Sequence, residues 1–527
     1  MLAFTLQAEL HKPLYCRPTS SHHAYHAMKN AITILVMAVS AVTTGSVLAQ
    51  TAPAIPVVAP TVIDPALTVR TAVSGLVQPT GLAFIGPNDM LVNEKASGRV
   101  LRIVNGVVQG PVLDLAVNSS SERGLLGIAL HPNFSANGYV YLYWTESSTG
   151  VDSANLADLA SIWGGTEPVR SNRIDRFRWN GSTLTLDRPL IRLHSYQADP
   201  GQPLRGNHNG GVLRFGPDGK LYAIMGDNGR RGWNQNLRNG APPSPLHPYA
   251  PADDQFGGPA PDNNHMTGMI LRLNDDGSTP TDNPFFAAGV TIGGEVGANV
   301  QKMFAYGVRN SYGMSFDPVS GFQWHTENGD DSYGEINLFD AGSNGGWIQT
   351  MGPISRVADF KAIETGRVTH ASFAGLQQLR WPPDLIADTP AEALARINAA
   401  ALPGSHYVDP KLSWRFEVSP TGLGFAYRTS LGAQYEGDMF VGSATPQLSG
   451  GFLFRLKLTA DRKDLALSDP LLADRVADNL DKYDITESES LLFGSNFGGV
   501  TEIQTGPNGN LYVVSVTRGA IYEIAPR

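Results

Sequence analysis

One phrase returns along this chain and constrains its fold more than any single residue. It consists of a turn built on Gly-Pro-Asn/Asp, a short strand of alternating large residues, a polar loop, and a second strand with Arg or Glu set between aliphatics. It runs through Gly86-Pro87-Asn88-Asp89 with residues 98–103, Gly216-Pro217-Asp218-Gly219 with residues 269–273, residues 437–441 with 452–456, and Gly506-Pro507-Asn508-Gly509 with residues 520–524. Alternation with a period of two, bounded by Gly, Pro and Asn, is the pattern of antiparallel strands. Repetition of the unit points to an all-β fold of the β-propeller type. The 57 Gly, 36 Pro and only 17% charged residues agree, because they suit many short strands joined by turns better than long helices.

About 460 residues at roughly 40–50 per four-stranded blade would permit more blades than there are repeats, so part of the chain must be insertions. Residues 234–264, with Ala241-Pro242-Pro243-Ser244-Pro245, read as a Pro-rich loop. Residues 353–404 hold another insert, in which Thr389-Pro390-Ala391-Glu392 has the form of a capping box with Pro at the first helical position, followed by an Ala-rich run to Ala401. The expectation is a six-bladed β-propeller with long loop inserts and one short inserted helix, spanning residues 67–527.

The N-terminal region reads differently. Met28-Lys29-Asn30, the apolar run from Ala31 and the small residues Val47-Leu48-Ala49 form a secretory signal, with cleavage expected after Ala49. Residues 1–27 are then an upstream extension of the reading frame, and residues 50–66 an extended Pro/Ala-rich linker. The apolar run is too short to span a bilayer comfortably, so a periplasmic or secreted protein without stable membrane insertion is expected. The single cysteine, Cys16, lies upstream of the cleavage point, which excludes disulfides, thiolate metal sites and cysteine nucleophiles from the mature chain. A net charge of -9 without a Lys/Arg-rich run argues against nucleic acid as a partner.

Four segments carry chemistry. Glu122-Arg123-Gly124-Leu125 opens the first. Arg205-Gly206-Asn207-His208-Asn209-Gly210-Gly211 places one imidazole in a small amide-rich turn, where it could take a proton from a bound alcohol, and Gly226-Asp227-Asn228-Gly229 follows. Tyr306-Gly307-Val308-Arg309-Asn310 offers a guanidinium and an amide able to grip carboxylate or carbonyl oxygens. The fourth, Glu327-Asn328-Gly329-Asp330-Asp331 through Glu335 and Asn337, is rich in the oxygen ligands that hard cations prefer, although its spacing is not that of an EF-hand and a solvated acidic turn would look the same.

In this order the four segments resemble the soluble quinoprotein glucose/sorbosone dehydrogenase family, the PQQ-dependent aldose sugar dehydrogenases. The resemblance runs from about Leu76 to the C-terminus and includes residues 342–347. It implies a six-bladed propeller that binds pyrroloquinoline quinone (PQQ), with calcium (Ca2+) bridging cofactor and protein, a small-molecule sugar as substrate and an external electron acceptor. By the same resemblance His208 is the base that deprotonates the sugar hydroxyl as hydride moves to the quinone. Arg309 lies beside the reactive quinone carbonyl with Asn310 next to it, and the main-chain carbonyls of Gly329 and Asp330 hold the calcium. Glu122, Asn207 and Asn228 fall on further cofactor-pocket positions.

The chain also departs from the family pattern. A lysine and two arginines that meet the cofactor carboxylates in the glucose enzymes are missing from Gln447-Leu448-Ser449-Gly450-Gly451 and from Asn496-Phe497-Gly498-Gly499-Val500-Thr501-Glu502. Arg123, Arg205, Arg230 and Arg231 are the candidates to compensate. Two other functions remain open at this point. One is a calcium-dependent lactonase using Glu122, Asn207, Asn228 and Glu335 around the axis with His208 activating water. The other is a non-catalytic propeller that binds without turning over.

Overall fold

The computed structural model describes residues 58–159, 171–195, 207–229, 266–365, 386–444 and 450–527. The signal region with Cys16, Arg205, Arg230, Arg231, the Pro-rich insert 234–264, and Gln447, Leu448 and Ser449 lie outside the described residues.

Among the described residues the strands form six mainly antiparallel sheets. The first sheet is Pro79–Gly86, Asp89–Glu94, Arg99–Val104 and Val107–Asp114. The second is Leu125–Leu130, Tyr139–Thr145, Asn172–Trp179 and Leu184–Leu193. The third is Leu213–Phe215, Leu221–Met225, Met269–Leu273 and Met303–Tyr306, extended by the parallel pieces Ser343–Asn344 and His406–Tyr407. The fourth is Gly313–Phe316, Gln323–Glu327, Ser332–Phe339 and Leu412–Phe416, with Val476–Ala477 added in parallel at its edge. The fifth is Pro420–Phe425, Met439–Ser443, Phe452–Leu456 and Leu492–Ser495, and the sixth is Val500–Thr505, Leu511–Ser515 and Ala520–Pro526.

The sixth sheet takes its outermost strand from the other end of the fold. Leu67–Ser74 pairs antiparallel with Ala520–Pro526, with Leu67 opposite Pro526 and Ser74 opposite Ala520. The first strand of each sheet contacts the first strand of the next, and the sixth returns to the first, so the sheets close into a ring. That is a β-propeller, with the edge problem of an open sheet removed by closure and by the shared last sheet.

Alternating side chains explain why the strands are buried on both faces. In Leu221–Met225, Leu221, Ala223 and Met225 pack with Tyr141, Tyr143 and Leu193 of the second sheet. Tyr222 and Ile224 of the same strand pack with Met314 and Phe339 of the fourth. In Met439–Ser443, Met439 and Val441 join Trp324 and Trp414 of the fourth sheet, whereas Phe440 joins Val500 and Val513 of the sixth. Each period-two strand thus fills two inter-sheet layers at once.

The repeated turn has one geometry. In both Gly216–Gly219 and Gly506–Gly509 the fourth residue has a positive φ, 71° and 81°, which glycine adopts without strain. The third residue, Asp218 or Asn508, accepts from the backbone N–H two positions on, at 3.1 Å in both. The same side chain bonds a tyrosine hydroxyl four residues later, Tyr222 or Tyr512, at 3.0 Å. The polar turn residue therefore fixes the start of the following strand.

Outside the sheets, the inserted helix is Pro390–Ala399, and Thr389 accepts from the Glu392 N–H at 3.2 Å as its cap. Asp388, not Thr389, donates its N–H back to the Glu392 carboxylate, at 2.9 Å. The expectation of a single short helix is corrected. Phe134–Asn137, Phe286–Ile292, Gly294–Val300 and Val357–Thr365 are also helical. Those at 134–137, 286–292 and 294–300 have no side-chain cap at their start, so no N-terminal signal announces them. None of the described helices is long and apolar enough to cross a membrane. Of the segment before Leu67, the described residues 58–66 are tied to the ring: Thr61–Val62 joins Gly494 and Ser495, and Asp64 takes the Tyr435 hydroxyl at 2.5 Å.

Within the ring, Arg214 of the third sheet reaches Glu502 of the sixth at 2.5 Å, spanning the axis between opposite sheets. A cavity of about 270 Å³ lies beside this pair, lined by Thr80, Leu126, Ile128, Val212, Thr421 and Thr501. Glu502→Gln is expected to lower stability by about 2 kcal/mol, because it strands a half-buried guanidinium. A chemical denaturation midpoint unchanged from wild type would show that the pair contributes nothing to closure.

Candidate active site

His208 sits at the head of the third sheet in a backbone conformation that few side chains adopt. Its φ is +58°, and Gly210 and Gly211 follow at +62° and +114°. The turn is held from outside, since the His208 N–H donates to the Glu122 carboxylate arriving from the loop before the second sheet. Gly226 lets two loops approach: a Cβ there would lie 2.5 Å from Arg309 O and 2.7 Å from His208 O. Without a side chain at 226, the next residue can reach both neighbours.

That residue is Asp227, which is buried at 1% exposure. Its Oδ1 lies 2.5 Å from His208 Nδ1 and also accepts the Gly229 N–H at 2.7 Å. Its Oδ2 takes the Trp347 indole N–H at 2.9 Å, and its own N–H donates to Arg309 O at 2.9 Å. Burial pushes the Asp227 carboxyl up, but the adjoining His208, Arg309 and the Gly229 N–H outweigh it and bring the group below the usual carboxylate range. An ionised carboxylate only accepts, so Nδ1 carries the ring hydrogen in this contact, and in the neutral form of the ring the lone pair falls on Nε2.

Arg309 is the second centre. Its guanidinium is buried, at 2% exposure, over the Trp347 ring at 5.4 Å. Nη1 donates to Asn328 O at 2.6 Å and Gly329 O at 2.8 Å, and Nη2 to Asp330 Oδ1 at 3.2 Å. The backbone N–H of Arg309 is taken by Glu327 at 2.7 Å. Burial works against this charge, while Asp330, Asp227, Glu364 and Glu417 hold it firmly protonated. Arg309 Nε, Asn310 Oδ1 and Asn228 Oδ1 are among the buried polar atoms around these two centres without a hydrogen-bond partner among the described residues.

Acidic groups surround the Gly329-Asp330 turn. The carboxylates of Asp330, Asp331 and Glu364 can bring an oxygen each within 4.8 Å of one another. Glu364, from the helix Val357–Thr365, accepts the N–H groups of Asp331 and Ser332 at 3.0 and 3.1 Å. Glu417 accepts the Gly329 and Ser419 N–H groups, and burial pushes its carboxyl up to about 8. Gly329 itself tolerates no side chain, because a Cβ would lie 1.7 Å from Ser332 O. Lys482 enters from the fifth sheet's outer excursion, donating to Asp330 O and meeting Asp331 Oδ1 at 2.6 Å.

The four segments therefore converge. Glu122, His208, Arg309, Gly329 and Asp330 form one bonded chain of contacts through Asp227 and Trp347. Asn310 joins through its carbonyl, which accepts the Asn328 N–H at 2.7 Å. Asn228 adjoins Asp227 and is anchored to His194 O at 3.1 Å, and Asn207, half-buried, directly precedes His208. The oxygen-rich segment is not one loop: Glu327 and Ser332 to Asn337 lie in paired strands. Glu335 faces inward there, its oxygens taken by the Gly352 N–H and by Asn337 at 2.9 Å. It is thus spent on packing, which removes it from the lactonase donor set. Arg123, named as a possible compensating cation, is buried and donates to Ser195 O at 3.0 Å.

Sequence reasoning missed Asp227, Glu364, Glu417 and Lys482. Asp227 stood inside a quoted motif, and a carboxylate between two glycines 19 residues after the histidine was the available signal. Glu364, Glu417 and Lys482 carry no local mark, and only the ring brings them in.

Comparison with known proteins follows the same segments. A family model described as glucose/sorbosone dehydrogenase matches residues 76–357, more than half of the chain. The chain belongs to this family. Among its relatives, quinoprotein glucose dehydrogenase B of Acinetobacter calcoaceticus is 32% identical over 289 residues, 54% of this chain and 52% of that protein. The aldose sugar dehydrogenase YliI of Escherichia coli is 22% identical over 458 residues, 85% of this chain and 90% of that one. The chain thus matches only about half the length of the Acinetobacter relative. In fold, this glucose/sorbosone dehydrogenase family member resembles the apo-form aldose sugar dehydrogenase of E. coli, with a TM-score of 0.56 at 19% identity over 88% of this chain and all of the other. The PQQ-bound aldose sugar dehydrogenase of Streptomyces coelicolor gives a TM-score of 0.50 at 22% identity, covering 88% and 99%. Both support the propeller fold.

The Asp227 contact fixes a measurable property. Nitrogen-15 NMR of the His208 ring should show hydrogen on Nδ1 in the neutral form, and Asp227→Asn, whose amide can donate, should move part of the population to the Nε2–H tautomer. Identical spectra for both proteins would show that Asp227 does not select the tautomer.

Proposed function

We propose that this chain is an exported, PQQ-dependent sugar dehydrogenase built as a six-bladed propeller, each sheet being one blade, and that it oxidises a hydroxyl of an aldose or related substrate. The observation that carries the reading is the His208–Asp227 contact beside a buried guanidinium. Nε2 of His208 has the lone pair of a general base, and Arg309 supplies a fixed positive charge for an oxygen that gains negative charge.

The residues present fit the cofactor. The partnerless Arg309 Nε and the Asn228 and Asn310 side-chain oxygens are buried polar atoms that a planar, oxygen- and nitrogen-bearing ligand would satisfy. The oxygen-rich set at Gly329, Asp330, Asp331 and Glu364 suits a hard divalent cation, with the Gly329 and Asp330 carbonyls as ligands to calcium. When bound, pyrroloquinoline quinone supplies an electrophilic carbonyl carbon that accepts hydride. His208 would take the hydroxyl proton on Nε2, Asp227 would stabilise the imidazolium so formed, and Arg309 would offer its positive charge to the cofactor. Glu122 fixes the backbone of the base, and Asn207 borders the same pocket. An external acceptor would take up the electrons, and the secretory signal read up to Ala49 supports a periplasmic or secreted location.

Calorimetric titration of the full chain with PQQ in the presence of calcium should show one saturable site, and the loaded protein should reduce a dye on addition of aldose. His208→Ala should retain PQQ binding and lose about a hundred- to ten-thousand-fold in turnover. Wild-type dye reduction by that variant would remove His208 from its role, and absence of PQQ binding by the unaltered protein would end the quinoprotein reading.

A further inference from the structure

Two protein cations already sit on the carbonyls assigned to calcium. Arg309 Nη1 is 2.8 Å from Gly329 O, and Lys482 Nζ donates to Asp330 O. Lys482 belongs to none of the sequence motifs. It comes from the excursion between Phe452–Leu456 and Leu492–Ser495, and that excursion is pinned to the fourth sheet.

Val476–Ala477 pairs in parallel with Ser413 and Trp414. Asn479, fully buried, accepts the Phe416 N–H at 2.7 Å and donates to Phe416 O at 3.0 Å, so one amide closes both backbone groups of that residue. The Tyr483 N–H donates to Glu417 O at 2.9 Å. Lys482 lies between these anchors, and its side chain is only 11% exposed. The ammonium is therefore delivered to one place by a rigid arm, with Asp331 Oδ1 at 2.6 Å as its second partner.

We infer that Lys482 competes with a divalent cation for the Asp330 carbonyl and thereby sets the cation affinity of this site, an inference that rests on the calcium reading above. Calcium binds oxygen at about 2.3–2.6 Å, so calcium and an ammonium on the same oxygen lie within about 5 Å of each other. Like charges that close, and away from bulk water, repel strongly. The second partner makes exchange possible: when calcium takes Asp330 O, Asp331 still holds the ammonium. The arm thus keeps the carbonyl satisfied without metal and makes metal binding a replacement.

The test is calcium titration into the full apo-protein by calorimetry, without PQQ, for wild type, Lys482→Met, Asp331→Asn and the Lys482→Met/Asp331→Asn double variant, with circular dichroism to establish folding. Lys482→Met should bind calcium at least tenfold more tightly than wild type, and the double variant at least tenfold more tightly than Asp331→Asn. Because Asp331 belongs to the oxygen set around the cation, the second comparison separates loss of the ammonium from release of that carboxylate. A double variant that binds no more tightly than Asp331→Asn overturns the competition while leaving the calcium assignment intact. No calcium binding by any of the four overturns both. A second measurement uses wild type alone: calcium should raise acetic anhydride labelling of Lys482, read by mass spectrometry, at least threefold, and unchanged labelling also overturns the competition.

Discussion

A guanidinium buried at 2% exposure is the constraint around which this site is organised. A charge removed from water must be met by oppositely charged or well-aligned polar partners, or the fold does not hold it there. Arg309 recruits two backbone carbonyls and the Asp330 carboxylate from the hairpin of the fourth sheet, and the face of Trp347 from the chain beyond it. Its own carbonyl holds the Asp227 N–H, and Asp227 in turn holds His208. Arginine and imidazole are therefore coupled through one carboxylate, and neither can be displaced without moving the other.

The scaffold makes such coupling possible because its strands are shared between two packing layers. A side chain on either face of Leu221–Met225 is fixed by a neighbouring sheet, so the strand ends that carry His208 and Asp227 have little freedom. Ring closure by Leu67–Ser74 ties the first strand of the fold to the last, and the Arg214–Glu502 pair links opposite sheets across the axis. Loops from different sheets then meet at fixed positions on one rim, where a catalytic group needs placement to within a fraction of an ångström.

The electrostatics of the rim also answer a difficulty in the sequence. The last two repeats lack the basic residues that the family resemblance led one to expect, yet the region is not without cations. Lys482, from an excursion outside the repeats, occupies the acidic side of the Gly329-Asp330 turn and balances Asp331. With Asp330, Asp331 and Glu364 gathered there, the turn is better suited to a cation than to a carboxylate, and the partnerless atoms of Arg309, Asn310 and Asn228 are the part suited to an organic ligand.

Much of this was legible in the chain itself. The Gly-Pro-Asn/Asp turns fix strand starts through bonds spanning only four residues, such as Asp218 to Tyr222, so repeats, strands and the propeller class follow from local pattern. The motifs likewise marked His208 and Arg309, because glycine-rich turns bearing one charged or titratable side chain leave a local signature, whereas Gly329 and Asp330 were singled out through the family resemblance. What the pattern could not show was long in sequence and short in space. Glu417 meets Gly329 across 88 residues, and Lys482 meets Asp330 across 152. The helices at 134–137, 286–292 and 294–300 were missed because they are short and start without a side-chain cap. Periodicity reports which face of a strand is apolar, whereas the partner of a buried charge is chosen by ring closure, and only the tertiary structure decides it.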